Sequence, residues 1–162
     1  MNEALEDGRR LLRHAVATLA YRGGKAVRGA PAEFGSFRAA EGGRRPVEIV
    51  AHVGDVLAWA LGIAQGRHVW EPAPPGPWET EVERFFAALR RFDDFLAGPE
   101  PLGASPERIF QGPVADALTH VGQLALLRRL AGAPVRGENY FKAEIAAGRV
   151  GPDQPPPVFE FD

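Results

Sequence analysis

Apolar residues recur at helical spacing along most of the chain, and the pattern is clearest over residues 77–97. Spacings of four and three alternate there to give a 3.5-residue seam, formed by Trp78, Val82, Phe85, Leu89, Phe92 and Leu96. The positions between them are Glu, Asp and Arg, which are typical of a solvated face. The pattern predicts an amphipathic helix that packs against other helices along one side.

Two further long helices are predicted in the N-terminal half of the chain. Residues from about 2 to 21 carry apolar side chains at helical spacing, and the Gly23-Gly24 pair predicts the end of that helix. A helix from about 46 to 65 is apolar on nearly all sides, which is typical of a buried helix. The long connection between these two helices contains Phe34 and Phe37, which are expected to hold it against the core.

The stretch from residue 113 to residue 134 has the signals of one complete helix. Pro113 suits the first helical position, where its missing N–H costs nothing, and a loop over 98–112 is expected before it. Cationic Arg128 and Arg129 fall in the last turn, and Gly132 follows as a stop signal. Four long helices therefore predict an all-α fold, in which a helix bundle covers about residues 2–132.

The remaining residues, about 133–162, are predicted to form a short helix and an extended tail. The helix is expected at about 138–147, ended by Gly148. Three consecutive prolines exclude a helix in the tail, and Val158, Phe159 and Phe161 are expected to hold that tail on the surface. No segment predicts a pair of strands. We therefore expect one domain over residues 1–162, a four-helix bundle with a short extra C-terminal helix and a proline-rich tail.

Composition narrows the classes of function. The chain of 162 residues has a formal net charge of −2 and no basic block, so nothing indicates a nucleic-acid interface. It has no cysteine, which excludes disulfides, thiolate nucleophiles and cysteine-based zinc sites. No apolar stretch approaches the roughly 20 residues that span a bilayer, and the charged N-terminus lacks the apolar core of a signal peptide. We expect a cytoplasmic protein without membrane or nucleic-acid partners.

Three polar side chains are predicted to point inward from two of the buried helices. Asp116 and His120 lie four residues apart and so share one helical face, and His52 belongs to an apolar stripe of its own helix. Two imidazoles and a carboxylate suit a divalent metal such as zinc, nickel or iron, with further positions open for water or substrate. Asp55 and Gln123 are candidates to orient the imidazoles, although Asp55 is equally a polar residue at a helix boundary.

The alternative to a metal site is a polar cluster inside an ordinary core. His52 and His120 would then be core histidines that are satisfied by hydrogen bonds to Asp116 and Gln123. Spacing alone favours this alternative, because an acid and a histidine four residues apart are common by chance.

Two strings of the sequence resemble parts of the DinB/YfiT-like superfamily. The second helix of that superfamily is similar to the string A-H-V-G-D-V-L-A-W-A around His52, and its last bundle helix is similar to D-A-L-T-H-V-G-Q-L-A-L-L-R-R-L-A-G-A-P. The resemblance implies a four-helix bundle of up-down-down-up topology with a metal held by three histidines. His52 and His120, the latter followed by Gly122-Gln123, match two of them. Asp116 stands where the remaining histidine is expected.

The departure at Asp116 bears directly on function. Two consequences are open. The carboxylate of Asp116 replaces imidazole as a ligand and changes the metal preference of the site, or the site has lost its metal. The resemblance implies homodimers and enzymes in which a metal activates a low-molecular-weight thiol such as mycothiol or bacillithiol. We therefore expect a metal-dependent enzyme that activates water or a small thiol for hydrolysis or transfer on a small molecule. The alternatives are a non-catalytic bundle that binds small molecules or acts in stress, and a structural dimer with the helix seam as its interface.

Overall fold

A computed structural model describes residues 3 to 161, which are mostly helical, as the all-α prediction requires. The α-helices are α1 (Glu3–Val27), α2 (Pro46–Ala64), α3 (Trp78–Ala97), α4 (Pro106–Ile109) and α5 (Ala115–Leu130). A π-helical turn over Phe110–Val114 joins α4 to α5. Two short strands, β1 (Gly137–Glu138) and β2 (Glu160–Phe161), pair in antiparallel register.

The four long helices enclose the core. α1 and α2 each pack against both α3 and α5. The seam predicted in α3 faces inward, since Phe85, Leu89, Phe92 and Leu96 are all buried. The predicted bounds of α2 and α3 agree with the structure to within one residue. Each of these helices follows a proline or begins at one, and Pro46 occupies the first turn of α2.

α2 is the most apolar of the described helices. By length and composition alone it is the one described helix that is able to cross a membrane, with a mean hydropathy of 1.6. However, 72% of that window is buried inside the fold. The apolar surface of α2 is therefore covered by its neighbouring helices, as the all-round pattern predicts for a core helix.

α1 continues past the pair of glycines that was predicted to end it. Gly23 lies inside the helix, where an added Cβ would stand 2.6 Å from Cζ of Phe85 on α3. The residue allows close helix packing and does not act as a stop signal. The helix ends at Val27, and Gly29, with φ of +61°, takes the left-handed conformation beyond it. Asn2, where the predicted helix begins, lies outside the described residues.

Gly23→Ala is expected to destabilise the protein by about 1–2 kcal/mol, because the ring of Phe85 must move within a packed core. Gly24→Ala is the matched control, since its Cβ would meet Phe86 Cζ at an ordinary 3.5 Å. Alanine is the better helix former by about 1 kcal/mol, so the control is expected to stabilise. Urea unfolding followed by circular dichroism measures both differences. Equal stabilisation by the two alanines would contradict the packing role of Gly23.

Phe34 and Phe37 hold the connection between α1 and α2 against the core as the sequence predicts, and a further contact from α5 was not predicted. Phe34 is buried and meets Trp78 edge-on at 5.4 Å between ring centroids, and Phe37 packs against the core. This further contact comes from the buried guanidinium of Arg128 on α5. It donates hydrogen bonds to the carbonyls of Ala26 and Arg28, each at 3.1 Å. Arg128 therefore satisfies carbonyl groups left open at the end of another helix.

The helix predicted from residue 113 begins earlier in the structure. Residues 106–112, predicted as loop, are helical, and Pro113 lies inside the π-helical turn. Proline has no N–H to donate to the α-helical ladder, and the wider turn accommodates that gap. Pro113 thus marks a distortion within a longer helical segment and not its start. The segment itself begins behind Ser105, whose hydroxyl accepts a hydrogen bond from the backbone N–H of Arg108.

The short helix predicted for residues 138–147 is wrong, and so is the expectation of no paired strands. Glu138 ends β1, and a 3-10 turn over Tyr140–Lys142 follows, capped by the side chain of Asn139. The N–H of Asn139 donates to the carbonyl of Phe159 at 3.0 Å. Contacts with the distant tail therefore outweigh the local helical signal. The prediction that the proline-rich tail is not helical is confirmed.

Glu138 fastens this C-terminal region to α1. The hydroxyl of Tyr21 donates to one carboxylate oxygen at 2.6 Å, and Nζ of Lys25 donates to the other at 2.7 Å. Lys25 also donates to Glu160 at 2.7 Å. Burial, together with the bond to Glu138, raises the pKa of Tyr21 above its usual range. Burial alone would lower the pKa of Lys25, but its hydrogen bonds to the two carboxylates outweigh that effect and raise it.

Candidate metal centre

The structure brings His52, Asp116 and His120 together at the interface of α2 and α5. Nε2 of His52 lies 3.5 Å from Oδ2 of Asp116, and Nε2 of His120 lies 3.6 Å from Oδ1. The two imidazole rings stand nearly perpendicular, with centroids 4.7 Å apart. One nitrogen or oxygen atom from each side chain falls within 4.8 Å of the other two. We call these three residues the triad.

The two distances from histidine to aspartate are close to those between ligands of one metal ion, although the three ligand atoms are grouped only to within 4.8 Å and must move closer to hold one. Contacts of 3.5 and 3.6 Å are longer than an ordinary hydrogen bond between an imidazole and a carboxylate. Two ligand atoms held about 2.1 Å from one tetrahedral ion are separated by about 3.4 Å. Asp116 makes only these long contacts with the two histidines, whereas His120 has the hydrogen bond to Gln123 that the core alternative predicts. The donor set suits a divalent cation, and the binding of one stays a prediction.

Gln123 fixes the orientation of His120. Oε1 of Gln123 lies 2.7 Å from Nδ1 of the imidazole. An amide oxygen only accepts, so with this amide orientation Nδ1 carries a proton, and in the neutral imidazole the lone pair is then on Nε2. That lone pair belongs to the nitrogen that faces Asp116. A hydrogen bond of this kind on the outer nitrogen is what metal-binding histidines generally have.

Asp55, the other predicted partner of the imidazoles, is engaged elsewhere. Its buried carboxylate accepts a hydrogen bond from Nη1 of Arg84 on α3 at 2.5 Å. The same guanidinium donates to Glu81 at 2.7 Å and to the carbonyl of Ala51 at 2.8 Å. Asp55 therefore belongs to the polar contacts between α2 and α3. The three-residue spacing between His52 and Asp55 predicted a contact within α2 and could not reveal the pairing with Arg84, because Arg84 lies in α3.

The triad lies at the edge of the core and is open to solvent on one side. The side chain of Asp116 is 47% exposed, against 25% for His52 and 13% for His120. The face of α5 that carries Asp116 and His120 was predicted to be buried, and it is only partly buried in the structure. Burial lowers the pKa of His52, the nearby His120 and Arg44 lower it further, and Asp116 opposes them. The lowered pKa favours the neutral form of His52, which is the form that binds metals.

Trp70 covers one side of the triad, and no periodic pattern predicted its position. It comes from the irregular connection between α2 and α3. Its ring meets His52 edge-on at 5.8 Å between centroids and meets Trp59 at the same distance. The one signal in the sequence is an aromatic residue within a proline-rich loop. The remaining histidines lie apart from the triad: His14 is exposed on α1, and His68 is exposed in the same connection as Trp70.

The chain was compared with protein-family models, curated proteins and solved structures. No protein-family model, curated protein or solved structure matches the chain. The interpretation of the triad rests on its geometry and on the two strings that carry the resemblance.

Proposed function

We propose that this chain is a metal-dependent enzyme of the DinB/YfiT-like superfamily, folded as an up-down-down-up bundle of α1, α2, α3 and α5. The mutual packing of four long helices supports the bundle, and the strings around His52 and His120 support the family. The proposal includes a cytoplasmic homodimer that acts on a small molecule.

The convergence of His52, Asp116 and His120 within 4.8 Å carries this proposal. These residues would hold a divalent metal such as zinc, nickel or iron. When bound, such an ion lowers the pKa of water or of a thiol and so supplies a nucleophile at neutral pH. Asp116 is half exposed and leaves the triad accessible to small molecules, while Gln123 holds the imidazole of His120 in place. Because the chain has no cysteine, any thiol must come from a small cosubstrate.

Metal content tests the proposal most directly. Protein purified without an affinity tag is expected to contain about one divalent ion per chain by elemental analysis, since three ligands converge at one place. Removal of the ion by a chelator is expected to lower the melting temperature. An ion present at 100 times its Kd adds about 2.7 kcal/mol to the free energy of unfolding. A protein that takes up no zinc, nickel or iron, and whose melting temperature is unchanged by all three, would contradict the proposal and favour the non-catalytic alternatives, a small-molecule-binding bundle or a structural dimer.

A cobalt-loaded sample separates thiol chemistry from water chemistry. Addition of 2-mercaptoethanol is expected to produce a sulfur-to-cobalt charge-transfer absorbance if thiols reach the site, while ethylene glycol, its oxygen counterpart, produces none. Cobalt retention without that absorbance would favour water as the activated group.

A further inference from the structure

A cleft of about 560 Å³ opens beside the triad, between α2 and the segment formed by α4 and the π-helical turn. Trp59 and Ile63 line it from α2, and Ser105 and Arg108 line it from the other side. His68 contributes from the connection between α2 and α3. No Asp or Glu is found among the described residues that line it. The cleft is thus apolar on one side and carries one permanent positive charge.

The indole of Trp70 links the cleft to the triad, because it contacts Trp59, which lines the cleft, and His52, which belongs to the triad. On the opposite side Pro113 lines the cleft about one helical turn before Asp116. A molecule lying at the Pro113 end of the cleft is therefore about one helical turn from Asp116.

Arg108 provides the positive charge at the other end. It precedes Asp116 by eight positions, which corresponds to about 12 Å along a helix axis. Its side chain is exposed and makes no hydrogen bond or ion pair with the residues from 3 to 161, and only its backbone N–H bonds to Ser105.

We infer that the cleft binds a small organic acid with a single carboxylate. The carboxylate pairs with Arg108, the apolar body lies against Trp59 and Ile63, and the far end points to the triad. The guanidinium of Arg108 can hold a carboxylate through two parallel hydrogen bonds, and the described lining offers no second arginine or lysine for the further charge of a phosphate dianion. The role of this acid as substrate rests on the proposed function, whereas its binding to the cleft needs no metal.

Calorimetric titration of chelator-treated protein with 4-phenylbutyrate tests the inference, with 4-phenyl-1-butanol as the neutral counterpart. The acid is expected to bind about five- to tenfold more tightly than the alcohol, because a charge-assisted hydrogen bond to Arg108 is available to the acid alone. Arg108→Gln is expected to remove this preference. Arg129→Gln changes an exposed arginine at the far end of α5 and is expected to keep it. Both positions are on the surface, so unchanged melting temperatures would verify that the variants are folded.

Equal affinity for the acid and the alcohol, no detectable binding of either, or an acid preference that survives Arg108→Gln would overturn the inference. The two proposals fail separately. Acid binding in a protein that takes up no metal supports the cleft and removes the metal-dependent function. Metal uptake without a preference for the acid supports the metal-dependent function and removes the proposed ligand of the cleft.

Discussion

His120→Ala is expected to reduce the zinc bound per chain from about one ion to almost none. The substitution removes one of three ligands and leaves His52 with an Asp116 side chain that is half exposed. Loss of a residue that merely orients a ligand costs about 10–100-fold in metal affinity, so loss of the ligand itself is expected to exceed about 100-fold. Elemental analysis after dialysis, followed by competition with a chromophoric chelator, measures the stoichiometry and the affinity.

His14→Ala is the matched control for this experiment. It removes the same side chain from an exposed position on α1, apart from the triad, and is expected to leave the metal content unchanged. Gln123→Ala is expected to give an intermediate loss, about 10–100-fold, because it frees the imidazole of His120 from its hydrogen bond. Retention of the metal in His120→Ala, or an equal loss in His14→Ala, would place the ion elsewhere and remove the triad from the mechanism.

Glu138→Ala is expected to lower the free energy of unfolding by about 3 kcal/mol, the largest stability effect we predict. The Glu138 side chain is fully buried, and that of Lys25 is only 12% exposed. The truncation leaves the hydroxyl of Tyr21 without its acceptor and removes the more deeply buried of the two counter-ions of Lys25. For a chain of this size the loss corresponds to a fall of about 6–12 °C in melting temperature. Thermal unfolding by calorimetry measures it.

Glu160→Gln is the control that shows how much of the effect depends on the burial of the carboxylate. Glu160 accepts from the same ammonium group at the same distance, but its side chain is 24% exposed and Lys25 keeps Glu138. The hydrogen bond from Lys25 lowers the pKa of Glu160. Its contribution to stability is therefore present at neutral pH and is lost as acid protonates the carboxylate. The loss in Glu160→Gln is expected to be clearly smaller than in Glu138→Ala, and equal losses would contradict the role given to the buried carboxylate.

The sequence predicted those helices whose bounds depend on local signals. α2 and α3 follow from their prolines and from apolar periodicity, which act over a few residues. The end of α1 was missed because Gly23 serves a contact with Phe85 in another helix. The region after Gly137 was missed because Glu138 pairs with α1 and the tail. Such partners are set by tertiary structure, which overrides local propensity.

The same distinction applies to the candidate site. Helical spacing placed Asp116 and His120 on a common face, and the apolar stripe of α2 placed His52 on an inward face, which the resemblance then matched to a ligand position. Trp70 could not be placed, because an irregular connection has no period from which the direction of a side chain follows. The cleft residue Arg108 was missed for a related reason, since its segment was predicted to be loop and not helix.

The polar contacts that complete α1 span most of the chain and therefore set an order of assembly. Arg128 and the carbonyl of Ala26 are 102 positions apart, and Lys25 and Glu160 are 135 apart. At about 5–20 residues per second, a ribosome needs roughly 7–27 s to add the residues between Lys25 and Glu160, whereas a helix forms within about a microsecond. α1 consequently spends seconds with its last carbonyls and its lysine in water. The helix that comes first among the described residues therefore completes its contacts only after the C-terminal tail has been made.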